Sequence, residues 1–203
     1  MHSLFNATQG TCPQSITPPW GRKGNPRGLM APMAVLRIAV LGHPVLRQIA
    51  EPIPVDRISS SDVQGLISDM YQTMEDYQGA GLAAPQVQVS VRVVICSLST
   101  GDQVLINPVI AHCTEEVIAS YEGCLSVPNM RGLVDRCAHI QVTAFDERGK
   151  HLNLDLQGWD AIVVQHECDH LDGILYIDRC DTTTLAFNDE FLRFGPLRGE
   201  EEE

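Results

Sequence analysis

The sequence predicts an α+β domain in which antiparallel β-sheets pack around a central helix. Two observations indicate this class. The predicted strands follow one another between two predicted helices, and this order favours antiparallel sheets over a parallel sheet with crossover helices. The chain of 203 residues is 44% hydrophobic, which suits one domain with its own core.

The first helix is predicted over residues 61–77, where apolar residues recur at positions i, i+3, i+4, i+7 and i+11. The residues with this spacing are Val63, Leu66, Ile67, Met70 and Met74. Short and partly alternating apolar runs predict the strands that follow. These runs are residues 92–96, 103–106, 133–136, 139–145 and 152–156. Residues 146–150 are charged apart from one glycine, which predicts a turn between the last two strands.

The last predicted helix contains His166, Glu167 and His170 in the pattern His-Glu-x-x-His. Histidines four residues apart project from one helix face, so both imidazoles can reach one metal ion while the glutamate stays available to move protons. We expect Asp160 to be the N-cap and the helix to end before Gly173. An apolar stripe is expected on the opposite face, made of Ala161, Val164, Cys168 and Leu171. The alternative is a buried helix whose histidines are only hydrogen-bonded.

A catalytic metal ion needs a third protein ligand, and the residues after the helix do not offer a good one. Tyr176 stands where the metzincin pattern requires a histidine, and Glu190, the first glutamate after the helix, lies in a stretch without a recognisable helix cap. Cys124 is the better candidate, because a thiolate joins two imidazoles readily around zinc or ferrous iron. It lies between Gly123 and Pro128 in a segment that should be extended and kinked. Considered alone, Cys124 fits an ordinary buried cysteine better.

A third segment, residues 79–87, is rich in small residues. Its Gly-x-Gly-x-x-Ala spacing, from Gly79 to Ala84, matches a dinucleotide-binding motif, but that motif requires a strand before it and a helix after it. A predicted helix precedes the segment and Pro85 blocks a helix after it, so we reject nucleotide binding. The small residues instead let another chain approach the backbone closely, and Gln86 offers a neutral donor to a developing oxyanion. The plainer alternative is a helix C-cap followed by a tight turn.

Three motifs therefore follow one another along the chain. They are Gly-x-Gly-Leu-Ala-Ala-Pro-Gln at residues 79–86, Glu-Gly-Cys-Leu-Ser at 122–126 and Gln-His-Glu-x-Asp-His-Leu-x-Gly at 165–173. Each is weak or moderate alone, but the set is highly specific, and together they resemble the peptide deformylase family. The resemblance covers about residues 35–178, with a lesser match at Arg131.

The resemblance implies a hydrolase that removes the N-formyl group from the N-terminal methionine of newly synthesised polypeptides and releases formate. Cys124, His166 and His170 would hold one divalent metal ion and leave a fourth position for water. The family implies ferrous iron in the cell, and the same ligands also suit zinc, nickel or cobalt. Two alternatives are kept: a zincin-like metallopeptidase with a different third ligand, and a non-catalytic binding module that the metal stabilises.

The resemblance also suggests catalytic and substrate-binding roles. Glu167 would take the proton of the attacking water and deliver it to the leaving amine. The Gln86 side-chain amide and the Leu125 backbone N–H would stabilise the oxyanion. The substrate peptide would bind as an extended strand. The residues expected to contact it are Gly81, Gly123 and Arg131, together with Ile162 and Val163 in a methionine pocket.

Charge and composition limit the expected partners and location. The formal net charge of −12 opposes broad nucleic-acid binding, and no apolar run approaches the roughly 18 residues that a membrane helix needs. Seven cysteines without a Cys-x-x-Cys pair suggest a reducing compartment, so we expect the cytoplasm. The expected partners are N-formylmethionyl nascent peptides and, transiently, the ribosome.

Both ends are expected to lie outside the catalytic domain, which is placed at residues 35–180. Residues 1–34 are rich in Pro, Gly, Ser and Thr and are expected to be a disordered extension. Their basic residues and lack of acidic ones fit an organelle transit peptide, whereas their prolines favour a tag or an upstream start. Residues 181–203 are expected to be an acidic tail. Many bacterial deformylases carry a long helix at this end, and the tail is expected to be too short for one.

Overall fold

The computed structural model describes residues 34–196. Within this range the chain forms three α-helices and eight β-strands. In chain order they are α1 (Ser61–Asp76), β1 (Gly81–Ala83), β2 (Val93–Leu98), β3 (Gly101–Cys113), β4 (Val117–Cys124), β5 (Val127–Cys137), β6 (His139–Phe145), β7 (His151–Gln157), α2 (Gly158–Leu171), β8 (Ala186–Phe187) and α3 (Asn188–Phe194). Over the same range, no helix is long and apolar enough to cross a membrane.

The strands form two antiparallel sheets. One has five strands in the order β1-β2-β3-β6-β7, and the other has three in the order β4-β5-β8. The chain passes from the first sheet to the second between β3 and β4, and it returns between β5 and β6 at Ala138. β1 lies at the edge of the five-stranded sheet, where Gly81 pairs with Cys96 of β2.

Strand β2 explains how the two long helices are arranged. Successive side chains of a strand point to opposite faces of its sheet. Val93 and Ile95 pack in the core that contains the apolar face of α1, whereas Val94 and Cys96 pack in the core that contains α2. The five-stranded sheet is therefore covered on both faces, which is why β2 is an almost continuous apolar run.

Helix α2 is central, as the sequence predicts. It contacts β1, β2 and β7 of the larger sheet and β5 of the smaller one. The predicted apolar stripe lies in the core, but the rest of the helix is also enclosed, and ten of its fourteen residues are buried. The predicted fold class, antiparallel sheets around a helix that carries the metal motif, is confirmed.

The predicted start of α2 is wrong by a few residues. Gln157 is the N-cap, and Asp160 lies within the first helical turn. The Asp160 carboxylate is instead used by the turn between β2 and β3, where it accepts hydrogen bonds from the backbone N–H and hydroxyl of Ser99. The predicted end is correct, because the helix stops at Leu171 and Gly173 adopts a φ of +73°.

The residues after 180 are folded as far as the structure describes them. β8 pairs with β5, with Phe187 opposite Met130 and Ala186 opposite Arg131, and α3 follows directly. The N-cap of α3 is Phe187, which makes no side-chain capping bond, so the sequence carries no cap signal there. The predicted boundary at residue 180 stays a prediction. All of the predicted N-terminal extension except Ala34, and the end of the tail from residue 197, lie outside the described residues.

Cys113 and Cys137 form a disulfide with a Cα–Cα distance of 5.8 Å. Cys113 is the last residue of β3 and Cys137 is the last residue of β5. Each is thus the point where the chain leaves one sheet for the other. The seven cysteines show no recognisable pairing in the sequence, so this bond was not predicted.

Candidate metal and catalytic site

Three metal-binding side chains converge from two elements. Cys124 ends β4 beside the tight turn of the β4–β5 hairpin, and His166 and His170 lie one turn apart on α2. Their ligand atoms all lie within 4.8 Å of one another, and Cys124 Sγ is 3.2 Å from His170 Nε2. We call these three residues the ligand group. One sulfur and two imidazole nitrogens are donors that zinc and ferrous iron accept, so the group fits a divalent ion.

Tyr176 stands where the metzincin pattern has its third histidine, and the structure gives it a packing role. Its buried ring stacks beside that of His166, with 6.3 Å between the ring centroids and an angle of 20° between the planes. Within residues 34–196 the group of potential ligands contains Cys124, His166 and His170. The prediction that the third ligand comes from upstream of the helix is therefore supported by the geometry.

Glu122 fixes the orientation of His166. The Nδ1 atom of His166 lies 2.8 Å from Glu122 Oε2, which leaves Nε2 to face the ligand group, as in many metal-binding histidines. Arg136 holds the same carboxylate through Nε at 2.7 Å and Nη2 at 2.9 Å. Burial acts to raise the pKa of Glu122, but the hydrogen bonds from Arg136 and His166 outweigh it and lower the pKa to about 2. Glu122 is thus a carboxylate anion at neutral pH.

Arg136 also reaches α2 directly. Its Nη1 atom donates to Asp169 Oδ2 at 2.6 Å, and Arg179 donates to both oxygens of the same carboxylate at 2.7 Å. Arg136, Glu122 and Asp169 are buried. The sequence analysis missed this network, because its members come from β4, β5 and α2 and only strand pairing brings them together.

Glu167 lies against the backbone of β1. A Cβ atom built on Gly81 would stand 2.5 Å from Glu167 Oε1, so only glycine leaves room for this carboxylate. Glu167 is buried and its Oε2 atom has no hydrogen-bond partner among the described residues. Burial raises the pKa of Glu167 to about 7, a value suited to a group that accepts and returns a proton near neutral pH.

Gln86 is buried at the edge of the ligand group. Its Oε1 atom accepts a hydrogen bond from the backbone N–H of Ala83 at 2.8 Å. This bond turns the Nε2 atom toward Cys124 Sγ at 3.5 Å and toward Ser126 Oγ at 3.3 Å. The side chain therefore presents its N–H donors on the side of the metal ligands.

A cavity of about 580 Å³ connects these features. Except for His170, which lies behind it, the residues predicted for the site line this cavity. They are Gly81, Gln86, Gly123, Cys124, Leu125, Arg131, Ile162, Val163, His166 and Glu167. The cavity wall also includes Tyr77, Tyr121 and Trp159, which the sequence analysis did not single out. Trp159 stands three residues before Ile162, so helical spacing from the predicted pocket could have pointed to it.

Arg131 is held at the cavity wall by the C-terminal helix. Its Nε atom donates to Asn188 Oδ1 at 2.9 Å, and its guanidinium lies 4.6 Å from the centre of the Phe191 ring. That ring in turn lies 4.7 Å from the ring of Tyr121. The short helix α3 therefore shapes one side of the cavity.

Comparison with protein-family models and curated proteins gives consistent matches. Residues 35–185 match the family model described as polypeptide deformylase. The chain is 38% identical over 177 residues to a peptide deformylase of Leptospira biflexa, covering 81% of this chain and 99% of that protein. It is 40% identical over 163 residues to peptide deformylase 1 of Bordetella pertussis, covering 75% and 92% of the two chains.

Solved structures give a similar result. The class I type b peptide deformylase from Acinetobacter baumannii with Met-Ala-Ser bound is similar at a TM-score of 0.69 and 36% identity, over 72% of this chain and 99% of that one. The peptide deformylase from Thermotoga maritima matches at a TM-score of 0.69 and 39% identity, over 72% and 98% of the two chains.

Proposed function

The chain belongs to the polypeptide deformylase family, and on that premise we propose that it hydrolyses the formyl group from the N-terminal methionine of newly made polypeptides. The products are formate and a free amino terminus. The observation that carries this proposal is Glu167, buried against Gly81 in the same cavity as the ligand group. A buried carboxylate that can exchange a proton, next to a site for a metal ion, supports the proposed hydrolysis.

Cys124, His166 and His170 are proposed to hold one divalent ion. When bound, the ion supplies Lewis acidity, which makes water a better nucleophile near neutral pH and polarises the formyl carbonyl. Ferrous iron is the proposed ion in the cell because resemblance to the peptide deformylase family implies it, and one thiolate and two imidazoles are compatible with it. The same donor set accepts zinc, nickel and cobalt, so metal identity depends on supply as well as on geometry.

Glu167 is proposed as the proton carrier. Its carboxylate takes a proton from the attacking water and passes it to the nitrogen of the leaving amine. Its buried position and a pKa raised to about 7 support both halves of this cycle. Gly81 leaves the space that this carboxylate occupies, since a side chain at that position would collide with it.

Gln86 and Leu125 are proposed to stabilise the negative charge that develops on the formyl oxygen. The donors would be Gln86 Nε2, which the bond to Ala83 aims toward the ligand group, and the backbone N–H of Leu125, which follows Cys124 in the hairpin turn. Donors fixed before the reaction need no rearrangement at the transition state, which is why such sites favour catalysis.

The substrate peptide is proposed to lie along the cavity as an added strand. β1 is an edge strand, and Gly81 offers open backbone where a peptide can pair. Ile162 and Val163 would receive the methionine side chain, and Gly123 and Arg131 would line the path of the following residues. The Acinetobacter baumannii structure has Met-Ala-Ser bound, and a peptide beginning with methionine is the product that this proposal expects.

Further proposals concern the context of the enzyme. We propose that it acts in the cytoplasm on nascent chains with transient ribosome contact, with an organelle as the alternative if residues 1–34 are a transit peptide. The catalytic domain is proposed to span residues 35–180, followed by an acidic tail whose first part, β8 and α3, packs against β5. Broad nucleic-acid binding is not expected, because the formal net charge is −12.

The test is a formate-release assay with matched substrates. Anaerobically purified protein, analysed for its metal content, is incubated with formyl-Met-Ala-Ser, acetyl-Met-Ala-Ser and unmodified Met-Ala-Ser. We expect formate from the first peptide, much slower release of acetate from the second and no change in the third. Equal rates on the formyl and acetyl peptides, or cleavage between Met and Ala, would contradict the proposal, and the latter would favour a zincin-like peptidase.

A further inference from the structure

We propose that Cys113 and Cys137 form a reversible thiol–disulfide site that controls how tightly the ligand group holds its metal ion. The inference concerns regulation of the proposed active site and rests on the ion being bound there. The two cysteines lie where the chain crosses between the two sheets. A short chain of hydrogen bonds leads from Cys137 to α2, the helix that carries the two histidines.

Strand pairing brings the two cysteines to a distance that suits a disulfide. Their Cα atoms are 5.8 Å apart, within the roughly 4.4–6.8 Å that disulfides span. Cys113 pairs with Ile140 in the five-stranded sheet, and Cys137 pairs with Val117 in the three-stranded sheet. The bond therefore links the two sheets covalently at the place where the chain crosses twice.

Both cysteines of this pair are also accessible, whereas the half-buried Cys124 belongs to the ligand group. Cys113 is exposed and Cys137 is half-buried, so a small molecule in solution can reach the bond. Cys96 and Cys168 are buried free thiols, and burial raises the pKa of both, that of Cys168 to about 12. A thiol that stays protonated is a poor nucleophile, so these two are unreactive by comparison.

Cys137 is connected to the metal ligands by its backbone. Its N–H donates to Gln165 Oε1 at 3.0 Å, and its carbonyl accepts from Gln165 Nε2 at 2.9 Å. Gln165 directly precedes His166. On the other side of Cys137, Arg136 holds Glu122, the carboxylate that bonds His166. His166 is therefore held in two ways. Cys137 binds Gln165, the residue before His166 in the chain. Arg136 binds Glu122, the carboxylate to which His166 is hydrogen-bonded.

The proposed chemistry is thiol–disulfide exchange with a small-molecule disulfide such as glutathione disulfide. The exposed Cys113 thiolate attacks one sulfur of that disulfide, forms a mixed disulfide and releases one thiol. The Cys137 thiolate then attacks Cys113 Sγ and releases the second thiol. Two protein thiols are oxidised by two electrons, one small disulfide is reduced to two thiols, and a dithiol reductant reverses the sequence.

Reducing the disulfide would loosen the contact between the ends of β3 and β5 without unfolding them. Backbone hydrogen bonds remain on both sides, from Thr114 N–H to the His139 carbonyl and from Ala138 N–H to the Glu116 carbonyl. What is lost is the covalent limit on how far β3 and the end of β5 can separate. Because Arg136 and Gln165 are anchored at that end, the orientation of His166 becomes less fixed, and outer contacts of this kind affect metal affinity.

The first experiment asks whether the pair reacts as proposed. Nickel-loaded protein is used, since ferrous iron would itself be oxidised. The reduced protein is treated with glutathione disulfide, digested without reductant and mapped by mass spectrometry. We expect a peptide pair joined through Cys113 and Cys137 that has lost two hydrogen atoms, and its disappearance after dithiol treatment. Free thiols at both positions after oxidation would overturn the proposal.

The second experiment measures the consequence for the metal. Nickel release to a coloured chelator is compared between oxidised and reduced protein, and we expect it to be about tenfold slower in the oxidised form. The oxidised form should also melt about 5–10 °C higher, since the bond closes a loop with a sequence separation of 24. Equal release rates in the two forms would overturn the coupling.

The controls are Cys113→Ser, which removes the exposed partner, and His112→Ser, which alters the exposed neighbour and keeps both cysteines. Cys113→Ser should release nickel and melt like the reduced wild type, whether it is treated with glutathione disulfide or with a dithiol. His112→Ser should show the same difference between the two treatments as the wild type. Cys137→Ser repeats the test if Cys113→Ser folds poorly. Release and melting need no turnover, so a redox response without formate release would refute the proposed function and leave this inference standing.

Discussion

The inner and outer ends of the active-site cavity are built differently. At the inner end, Glu122 and Arg136 are 6% and 4% exposed and are joined by two hydrogen bonds. Glu122 also bonds His166, and Arg136 also bonds Asp169. At the outer end, Trp159 is 58% exposed. The inner end is held by several charged contacts at once, whereas the outer end has apolar surface in contact with solvent.

The difference follows from what each end has to do. A metal ligand shifted by a small distance no longer fits its ion, so a rigid surround of buried ion pairs is useful there even where it adds little net stability. A peptide that enters with varied side chains needs apolar contact without fixed partners. The outer wall provides this with an aromatic ring, and Arg131 is held there mainly by Asn188 and by the Phe191 ring of α3. Substitutions at the two ends should therefore affect different quantities.

Removing a metal ligand should give the largest effect. Cys124→Ala leaves two of the three ligands, so we expect loss of the bound ion and of measurable formate release. Elemental analysis of the purified protein measures the first and the formate assay the second. The matched control is Cys168→Ala, a buried cysteine on α2 outside the ligand group, which should keep its metal. Full metal content in Cys124→Ala would contradict the assignment.

Glu167→Gln should separate metal binding from catalysis. The residue is not in the ligand group, so the ion should stay, but an amide cannot carry the proton and kcat should fall by roughly a hundred- to ten-thousand-fold. Metal content and kcat are measured on the same sample. Glu190→Gln, an exposed residue of α3, should match the wild type. Unchanged turnover in Glu167→Gln would remove this residue from the mechanism.

Arg136→Met tests the rigid inner end. The methionine fills much of the space but removes the arginine from two buried carboxylates, so that Glu122 keeps only His166 and Asp169 keeps only Arg179. This loss should lower the free energy of unfolding by about 3–5 kcal/mol. Metal affinity should drop by roughly 10–100-fold, because Arg136 no longer fixes the Glu122 carboxylate that orients His166. Denaturant unfolding and chelator competition measure the two effects. The comparison variant is Arg148→Met, because the Arg148 side chain is 85% exposed. If it lost as much stability and metal affinity as Arg136→Met, the proposed rigidity of the inner end would be contradicted.

Trp159→Ala should give the smallest effect and only at the outer end. Because the ring is largely exposed, the free energy of unfolding should change by no more than about 0.5 kcal/mol. Lost contact with the peptide should raise KM by roughly fivefold, equivalent to about 1 kcal/mol of apolar contact, with kcat nearly unchanged. Steady-state kinetics on a formylated tripeptide measure both KM and kcat. A fall in kcat as large as that of Glu167→Gln would show that the two ends are not separate.

Sequence patterns were informative where one short segment contains the whole signal. The helical spacing placed α1, and the spacing within His-Glu-x-x-His placed both histidines on one face of α2. Cys124 became a third ligand only through its combination with two other motifs, since a lone cysteine has many uses. Five of the eight strands were predicted where apolar residues recur, although their ends were not, because pairing partners decide how far a strand runs. Strands β1, β4 and β8 were not predicted.

Features built from distant segments could not be read in this way. Arg136 meets Glu122 and Asp169 only after β4 pairs with β5 and α2 packs on them. The short helix α3 begins at Asn188, and its N-cap Phe187 makes no side-chain capping bond, so no local pattern predicted it. Asp160 has the chemistry of an N-cap but is used by Ser99 across a turn, which shows that a competing acceptor role can override a capping preference.

The contact between Gly81 and Glu167 also limits how the enzyme could escape an inhibitor. A compound that binds along β1 must approach the backbone at Gly81, and the usual way to exclude it would be to introduce a side chain there. Such a side chain would meet the Glu167 carboxylate first, at 2.5 Å from its Cβ. Drug resistance through this position would therefore displace Glu167, the proposed proton carrier, and should slow the enzyme.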